Sequence, residues 1–244
     1  MTPETSLLKV LTGADIGSRR RVTDLIKAGS VTVNGRVAES FSHPVMPGVD
    51  RIRVDGVTIL LKAIREPPVY LMLNKPPGIL STTHDDRGRK TVIKLLPSEY
   101  RHVRLFPIGR LDRDSTGLIL LTNDGDITYK LTHPKFLHEK EYRVLINGQL
   151  TEDNLANLRS GIHLEDGKTS PARIEPSAQP IPGEYIIIIN EGKKRQIRRM
   201  FAHLGFRVLG LNRERMGSIR LGSLKPGQVR PLTPEEIHRL NIQA

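Results

Sequence analysis

The sequence lacks cysteine and tryptophan, and only 4% of its 244 residues are aromatic. Without cysteine there can be no thiol nucleophile, no thiolate metal site and no disulfide framework. Because aromatic side chains are so few, we predict that binding does not depend on a broad aromatic platform. Nothing in this composition points to secretion.

Long apolar runs are also missing. The longest run of branched apolar residues is Ile186–Ile189, which is far too short to cross a bilayer. The amino terminus carries Glu4 and has no apolar segment of the kind found in secretory signals. We therefore expect a cytoplasmic protein with no membrane segment.

Positive charge is in excess, with 38 Lys and Arg against 26 Asp and Glu and a net charge of +12. This balance favours a polyanionic partner, with nucleic acid as the first candidate and an anionic membrane as the second. Hydrophobic residues make up 37% of the chain, so we expect a packed core. A soluble protein that is basic without such a partner is the plainer alternative.

The first 62 residues or so combine two helix patterns with two hairpin signals. Ser18 is a plausible N-cap for the second helix, and apolar residues follow it at helical spacing. Asn34–Gly35 and Asp55–Gly56 separate alternating branched residues, as two-residue hairpin loops do. Basic side chains occupy much of the remaining helix surface, which could also be an ordinary solvated face.

This segment resembles the S4 RNA-binding domain. The resemblance is carried by Ser18–Arg20, Leu25–Gly29, Val31–Gly35 and Gly48–Ile52. It departs at Ser6–Lys9, where the family usually has an arginine and a leucine before its first helix. The resemblance implies an RNA-binding surface, and its contacts are assigned to Arg19, Arg20, Lys27 and Asn34.

Residues 63–68 look like a linker. They end in Pro67 and Pro68, and proline continues neither a helix nor a central strand. We therefore predict an RNA-binding domain over residues 1–62, a linker over 63–68 and a catalytic domain over 69–244.

A polar turn ahead of a short apolar run organises the second part. The turn, 107–117, carries Asp112 and Asp114, and the run Leu118–Leu121 has the length of a buried strand. Asp112 therefore lies on a loop held against a rigid strand, where reactive groups are often placed. From this pattern alone, the two acids could equally be turn formers on a surface loop.

Basic residues crowd the start of another predicted helix. Apolar residues recur at amphipathic spacing from Ile197 to Leu204, and Gly205 ends the helix. Five basic residues lie between positions 193 and 199. Cations at a helix N-terminus oppose its dipole, at about 0.3–1 kcal/mol each when exposed. This cost suggests an anionic partner, although most charge runs are simply solvated faces.

Metal and nucleotide sites are not indicated. His84–Asp86 is the best metal candidate, but adjacent residues rarely converge on one ion, and no second cluster has matching spacing. There is no GxGxxG or P-loop spacing, so a dinucleotide or nucleoside-triphosphate enzyme is not expected.

Taken together, the motifs of the second part resemble those of pseudouridine synthases, in particular the class that acts on uridines of small- and large-subunit ribosomal RNA. The matching segments, in chain order, are Asn74–Gly78, Gly109–Asp112, Ser115–Leu118, Thr122–Gly125, Glu139–Tyr142, Glu191–Gly192 and Gln196–Met200.

The resemblance implies an α+β protein, with a small S4-like α/β domain followed by a mixed, mainly antiparallel-sheet catalytic domain. It implies that a uridine in ribosomal RNA is cleaved at its N-glycosidic bond, rotated and rejoined through C5. It also implies no cofactor and no metal. We expect the protein to act as a monomer.

The same resemblance assigns roles to individual residues. Asp112 matches the catalytic aspartate, Tyr142 the tyrosine that packs on the target base, and Arg198 the arginine that pairs with the aspartate. Leu211 and Lys75 match pocket positions. A solvated turn residue is the plainer interpretation of Lys75. The expected RNA contacts of this part are Arg110, Lys194 and Arg195.

Physical chemistry is consistent with these residue types. A target base must leave its stack, and an aromatic ring can hold it, with stacking of about 1–3 kcal/mol per base. Glycosidic cleavage develops positive charge on the sugar, which a carboxylate stabilises. Arg198 close to Asp112 would lower the pKa of that carboxyl group. Asp114 is assigned to turn support only.

Two other functions are compatible with these motifs. A non-catalytic, ribosome-associated RNA-binding protein could have kept the fold, but it would have no need of Asp112, Tyr142 and Arg198. An N-glycosylase would use a similar site and would release free uracil.

Overall fold

The structure is a computed structural model that describes residues 4–14, 16–59, 67–177 and 181–243, with side chains through residue 240. The chain divides into two compact units, Met1–Pro67 and Pro68–Ala244. Residues 63–66 of the predicted linker lie outside the described residues. Each unit has its own hydrophobic core.

Within residues 4–14 and 16–59, the first unit contains two helices and six short strands. Strands β3, β2, β5 and β6 form an antiparallel sheet in that order, and β1 pairs with β4. The elements are β1 (Thr5–Ser6), α1 (Leu7–Gly13), α2 (Arg19–Lys27), β2 (Val31–Val33), β3 (Arg36–Val37), β4 (Pro44–Val45), β5 (Ile52–Val54) and β6 (Val57–Thr58).

Local sequence explains how this unit is built. The Arg21 backbone nitrogen donates to Ser18 Oγ at 3.2 Å, which confirms the predicted N-cap of α2. Asn34 and Gly35 have φ values of 51° and 83°, as a tight hairpin turn between β2 and β3 requires. The apolar faces of both helices pack onto the strands in one core, which leaves the basic face of α2 exposed.

The second unit alternates strands and helices. Three short 3-10 helices cover Val92–Leu95, Ser98–Tyr100 and Pro134–Phe136. The strands and α-helices are β7 (Tyr70–Lys75), β8 (Phe106–Ile108), β9 (Thr116–Thr122), α3 (Gly125–Thr132), β10 (Lys140–Ile146), α4 (Glu152–Ser160), β11 (His163–Leu164), β12 (Gly167–Lys168), β13 (Arg173–Pro176), β14 (Glu184–Ile189), α5 (Gln196–His203), β15 (Val208–Met216), β16 (Ile219–Arg220), β17 (Val229–Pro231) and α6 (Pro234–Gln243).

A nine-stranded sheet runs through this unit. Its main path is β13-β14-β10-β15-β9-β7-β17, with β16 beside β15 and β8 beside β9. Strand β15 pairs with β9 in parallel, and the other strand pairs of this sheet are antiparallel. The expected mixed, mainly antiparallel sheet is therefore confirmed.

Strand β9 is buried on both of its faces. Ile119 and Leu121 belong to the core that includes α4 and α5, whereas Leu118 and Leu120 belong to the core that includes α3 and α6. The sequence of a strand that is covered on both faces is a continuous apolar run, because neither face is exposed to solvent. The prediction of a buried strand at 118–121 is confirmed.

Capping side chains mark helix starts in this unit. The Asn154 backbone nitrogen donates to Thr151 Oγ1 at 3.2 Å, and the Thr151 nitrogen donates to Asn154 Oδ1 at 3.1 Å, so Thr151 caps α4. Thr233 and Glu236 exchange the same two kinds of bond at the start of α6. In the part of the chain that the structure describes, no helix is long and apolar enough to cross a membrane.

Candidate active site

The loop that carries Asp112 leads from β8 into β9, at the parallel pairing of the sheet. Here Thr116 is the register partner of Asn212, and Gly117 is the partner of Arg213. Gly117 has a φ of 99°, and a Cβ at this position would lie 2.6 Å from the Arg213 backbone nitrogen. Glycine alone fits such an approach. The entry of the chain into β9 is therefore fixed by a steric requirement.

Lys75, the last residue of β7, is fully buried beside this loop. Its Nζ donates to three backbone carbonyls, those of Pro76 at 3.0 Å, Arg113 at 3.2 Å and Ser115 at 2.7 Å. The plainer interpretation of Lys75, a solvated turn residue, is therefore wrong. Its charge is directed at the backbone of the loop.

A second set of hydrogen bonds holds the residues on either side of Asp112. Ser81 Oγ donates to the Leu111 carbonyl at 2.9 Å, and the Leu111 nitrogen lies 3.1 Å from the same Oγ. On the other side, the Gly78 nitrogen donates to the Arg113 carbonyl at 2.8 Å. The backbone at Asp112 is thus anchored through both of its neighbours by the segment that follows β7.

The structure corrects the predicted ion pair of Asp112. Arg198 Nη2 lies 3.1 Å from Asp114 Oδ2, so Arg198 pairs with Asp114 and not with Asp112. The cation recorded at Asp112 is Arg195, whose Nη1 lies 3.9 Å from Asp112 Oδ2 and 3.4 Å from Asp114 Oδ1. The reason lies in the turn, because Asp114 stands next to Ser115, to which Arg198 is also bonded.

Arg198 connects the loop to strand β15. Its Nη1 donates to the Val208 carbonyl at 3.2 Å, and its Nη2 donates to Ser115 Oγ at 3.4 Å. Burial raises the pKa of Asp114, but Arg198 and Arg195 outweigh this effect and hold it below its usual value. In addition to its predicted role in the turn, Asp114 therefore receives both guanidinium groups.

Arg195 reaches the two carboxylates from an unusual backbone conformation. It is the residue before α5, and its φ of 51° places it in the left-handed region. Residues other than glycine are uncommon there. Because Lys193, Lys194 and Arg195 precede the helix, much of the predicted basic run lies on a turn and only its end lies on α5.

Burial also sets the protonation of Lys75. It lowers the pKa of Lys75 to about 8, although Asp114 and Asp112 act in the opposite direction. A lysine in this range gains or loses its proton close to physiological pH. The loop is therefore held by a group whose third donor and positive charge depend on pH.

Tyr142 and Leu211 lie in the same core as the loop. Tyr142 on β10 is 7% exposed, and Leu211 on the neighbouring strand β15 is 8% exposed. Both belong to the cluster that contains Leu111 and Ile197. The structure thus places these two predicted pocket residues on neighbouring strands and in one core with Leu111, the residue before Asp112.

Two cations to which the sequence analysis assigned no role, Arg213 and Lys140, lie next to Tyr142 in the sheet. Arg213, the register partner of Tyr142, is buried and donates from Nε to the Leu118 carbonyl at 2.8 Å. Burial and Arg213 lower the pKa of Lys140 to about 8, while Glu191 acts in the opposite direction. The sequence signal that could have identified Arg213 is the alternation of side chains along β15, because Arg213 lies two residues after Leu211 and therefore on the same face of the strand.

The remaining predicted RNA contacts of this unit are exposed. Arg110 lies on the surface just before Asp112, and Lys194 lies on the surface before α5. Positions 110, 112, 194 and 195 thus belong to the two loops that meet through Arg195 and Asp112. The contacts of these residues with RNA remain predictions.

In the first unit, Arg19, Arg20 and Lys27 are exposed on α2, as an RNA contact requires. Asn34 is also exposed, but its amide serves the fold. Its Nδ2 donates to Asp50 Oδ1 at 2.8 Å, and its Oδ1 accepts from the Arg51 nitrogen at 2.9 Å. Asn34 therefore braces one hairpin against the next.

The rejected metal candidate is a surface pair. His84 Nε2 lies 3.1 Å from Asp86 Oδ1, and both side chains are largely exposed. Among the residues that the structure describes, no group of three or more His, Cys, Asp or Glu side chains could hold a metal ion.

The geometry defines a class of site. A partly exposed carboxylate, that of Asp112, stands on an anchored backbone, 3.9 Å from the guanidinium group of Arg195. The neighbouring Asp114 binds Arg195 and Arg198, and the core of this unit contains the ring of Tyr142. Such a carboxylate can stabilise positive charge that develops on a sugar, and cations around it can hold phosphates. The site therefore suits a reaction at a glycosidic carbon of a nucleic acid.

Comparison with known proteins gives the family. Residues 69–203 match the family model described as RNA pseudouridylate synthase. Over 98% of its length, the chain is 43% identical to ribosomal large subunit pseudouridine synthase B of Bacillus subtilis, covering 96% of that protein. It is 37% identical to the uncharacterised RNA pseudouridine synthase YtzG of the same organism, with 96% of this chain and 97% of that protein covered. The chain belongs to the RNA pseudouridylate synthase family.

A solved structure agrees with this assignment. A crystal structure of a pseudouridylate synthase is 33% identical to this chain and superposes with a TM-score of 0.69. The match covers 97% of this chain and 99% of the other. The similarity therefore extends over both units and is not confined to the second.

Proposed function

We propose that this protein isomerises a uridine of ribosomal RNA to pseudouridine, with Asp112 as the catalytic residue. The observation that carries the proposal is the anchored loop, in which Lys75, Gly78 and Ser81 hold the backbone on both sides of a partly exposed carboxylate. Ribosomal RNA is proposed because a relative with 43% identity bears the name ribosomal large subunit pseudouridine synthase. That name favours large-subunit RNA.

The proposed reaction is an isomerisation, so the atoms of the uridine balance without a co-reactant. The bond from C1′ to N1 breaks, the freed uracil rotates, and C5 bonds to C1′. N1 gains a proton and C5 loses one, both by exchange with solvent. Asp112 must be ionised to assist, whether it adds to C1′ or removes the 2′ proton, because either role uses a carboxylate lone pair.

The neighbouring residues receive supporting roles in this proposal. Arg195 and Arg198 keep negative charge stable in the cleft, as opposite charges close to a carboxylate do. Tyr142 offers a ring to the flipped base, and Leu211 packs in the same core. Arg110 and Lys194 lie exposed at the two loops, where a phosphate backbone would pass.

The first test is pseudouridine mapping in ribosomal RNA from cells with and without the gene, by carbodiimide modification and primer extension. Loss of one stop in the deletion strain, restored by the wild-type gene and not by an Asp112→Asn gene, is expected. Asp112→Asn should lower turnover by at least about 10²–10⁴-fold, while RNA binding stays within a few-fold. An unchanged modification map would refute the proposal.

Two controls separate the alternatives. Asp86→Asn removes a carboxylate from an exposed surface pair, so this variant should retain full activity. Chromatography of the reaction products distinguishes the glycosylase, which would release free uracil. Full restoration of the modification by the Asp112→Asn gene would favour a non-catalytic role for this site.

We further propose that the first unit is an S4-like RNA-binding domain. What supports this is the exposed basic face of α2 next to two braced hairpins. A cytoplasmic location and a monomeric state remain predictions. Fractionation of cells and sedimentation of the purified protein would test them.

A further inference from the structure

Four rings gather where α3 ends and the chain turns toward β10. Tyr129 and His133 lie 4.9 Å apart between ring centroids, Tyr129 and Phe136 lie 6.0 Å apart, and Phe136 and His138 lie 6.2 Å apart. We call these four residues the ring cluster. It contains one of the five Tyr, one of the five Phe and two of the eight His of the chain.

The ring cluster is braced by the backbone around it. His133 Nδ1 accepts from the Lys135 backbone nitrogen at 3.3 Å. Leu137, with a φ of 53°, closes the turn between these residues. The rings are therefore presented on a defined turn.

Both the exposure and the charge of the cluster suit nucleic acid. Tyr129 is 49% exposed. Lys135 Nζ lies 5.2 Å from the centroid of the Tyr129 ring and 4.7 Å from that of Phe136. The acids of α3, Asp124 and Asp126, lie at its other end, where Asp124 caps the helix. Aromatic faces beside cations are how proteins hold the bases and phosphates of single strands.

The cluster also adjoins the loop of the active site. A Cβ on Gly109 would lie 3.7 Å from Thr132 Cγ2, so the last turn of α3 packs against the start of that loop. Gly109 is followed by Arg110 and, two residues later, by Asp112. A strand of RNA that leaves the loop on this side would meet Tyr129 and Phe136.

We propose that Tyr129 and Phe136 form a stacking site for an unpaired base that flanks the target uridine, with Lys135 on a neighbouring phosphate. The inference rests on the proposed RNA substrate, but not on the isomerisation itself. This site would lie outside the pocket of the target uridine. It would bind a base by stacking on its face and not by hydrogen bonds to its edge. The site should therefore tolerate any base.

The test is binding of a fluorescein-labelled 12-nucleotide oligouridylate and of an abasic 12-mer with the same phosphates, by anisotropy at several salt concentrations. Tyr129→Leu, which keeps apolar volume but removes the ring, should weaken oligouridylate binding at least about 5-fold. Binding of the abasic strand should be unchanged, and Tyr129→Phe should stay within twofold of wild type. Lys135→Ala should weaken both strands and reduce the salt slope by about 0.7.

Leu137→Ala is the matched control, since Leu137 is an exposed apolar residue of the same turn without a ring. Equal weakening of both strands by Tyr129→Leu, no weakening at all, or the same loss in Leu137→Ala would overturn the proposal. Thermal melting checks the fold, and Phe136→Leu repeats the test at a second ring. If the protein made no pseudouridine but Tyr129→Leu still weakened oligouridylate binding selectively, only the proposed reaction would be refuted.

Discussion

Asp112 and Asp114 are two residues apart, yet the structure gives them different surroundings. Asp112 has its nearest recorded cation at 3.9 Å, whereas Asp114 binds Arg198 at 3.1 Å and Arg195 at 3.4 Å. Exposed ion pairs contribute little to stability, so the value of these contacts lies in placement. Asp114 binds the guanidinium groups of Arg195 and Arg198, and Arg195 also lies 3.9 Å from Asp112, the carboxylate that we propose to be catalytic.

We predict that Asp114→Asn lowers kcat by about 10-fold, because Arg195 and Arg198 lose the group that positions them. The Asp112 side chain stays in place, so the loss should be smaller than in Asp112→Asn. Steady-state kinetics on a ribosomal RNA transcript measures both variants beside Asp86→Asn. Wild-type kcat in Asp114→Asn would show that the two arginines are positioned by other contacts.

Lys75 makes a second prediction at the residue scale, which concerns pH. Burial lowers its pKa to about 8 from 10.5, so deprotonation above pH 8 removes the charge and one donor from the loop. We expect kcat to fall as pH rises through about 8. In Lys75→Met, activity should be lower and this fall should be absent.

The effect of Lys75 on folding stability has the opposite sign to its expected effect on activity, so the two can be told apart. The folded-state pKa lies below 10.5, so the folded chain binds fewer protons than the unfolded chain between pH 8 and 10.5. Lys75 therefore favours folding more as pH rises through this window, and a fall in activity there is not unfolding caused by this group. Lys140→Met is the matched control, since the pKa of Lys140 is also lowered to about 8. If kcat no longer fell above pH 8 in Lys140→Met, the fall would belong to Lys140 and not to Lys75.

At the scale of elements, the parallel contact of β9 with β15 sets the position of the loop. Gly117 has no room for a side chain there, because a Cβ would lie 2.6 Å from a backbone atom of the facing strand. Backbone on both sides is part of the central sheet and cannot move away cheaply. The loop of Asp112 is thus tied to a contact that sequence motifs do not reveal.

We predict that Gly117→Ala destabilises the protein by about 1–3 kcal/mol from overpacking, with more from its positive φ. Chemical denaturation measures the change. Gly125→Ala is the control, because nothing lies within 4 Å of its added Cβ and its backbone is helical. Equal stability of the two variants would contradict the crowding at Gly117.

At the scale of the whole molecule, excess positive charge is shared by both units, and binding should depend on salt. We predict that replacing Arg19, Arg20 and Lys27 with Ala in the full chain lowers the slope of log K against log salt by about 2, for three lost phosphate contacts on a single strand. Filter binding to a ribosomal RNA fragment gives the slope.

The matched control replaces three exposed arginines of the hairpins in the same unit, Arg36, Arg51 and Arg53. The two triple variants lose equal charge, so a larger change in the first places the RNA on α2. Equal slopes would indicate general attraction and no defined surface.

Sequence patterns predicted the structure correctly where neighbouring residues along the chain decide the backbone conformation. The N-cap at Ser18 and the hairpin turn at Asn34–Gly35 depend on local hydrogen bonds and backbone preferences, and both are confirmed. The run 118–121 was also recognisable, because a strand covered on two faces must be apolar throughout. Family motifs then pointed to Asp112.

Sequence alone therefore determined the cap of α2, the hairpin at Asn34–Gly35, the buried strand at 118–121 and the basic character of the chain, and it drew attention to the loop of Asp112. Only the tertiary structure decided that Lys75 is buried and that Arg198 pairs with Asp114. These facts join segments up to 84 residues apart, from Asp114 to Arg198. Their geometry depends on how the sheet brings distant strands together, and no local preference encodes it.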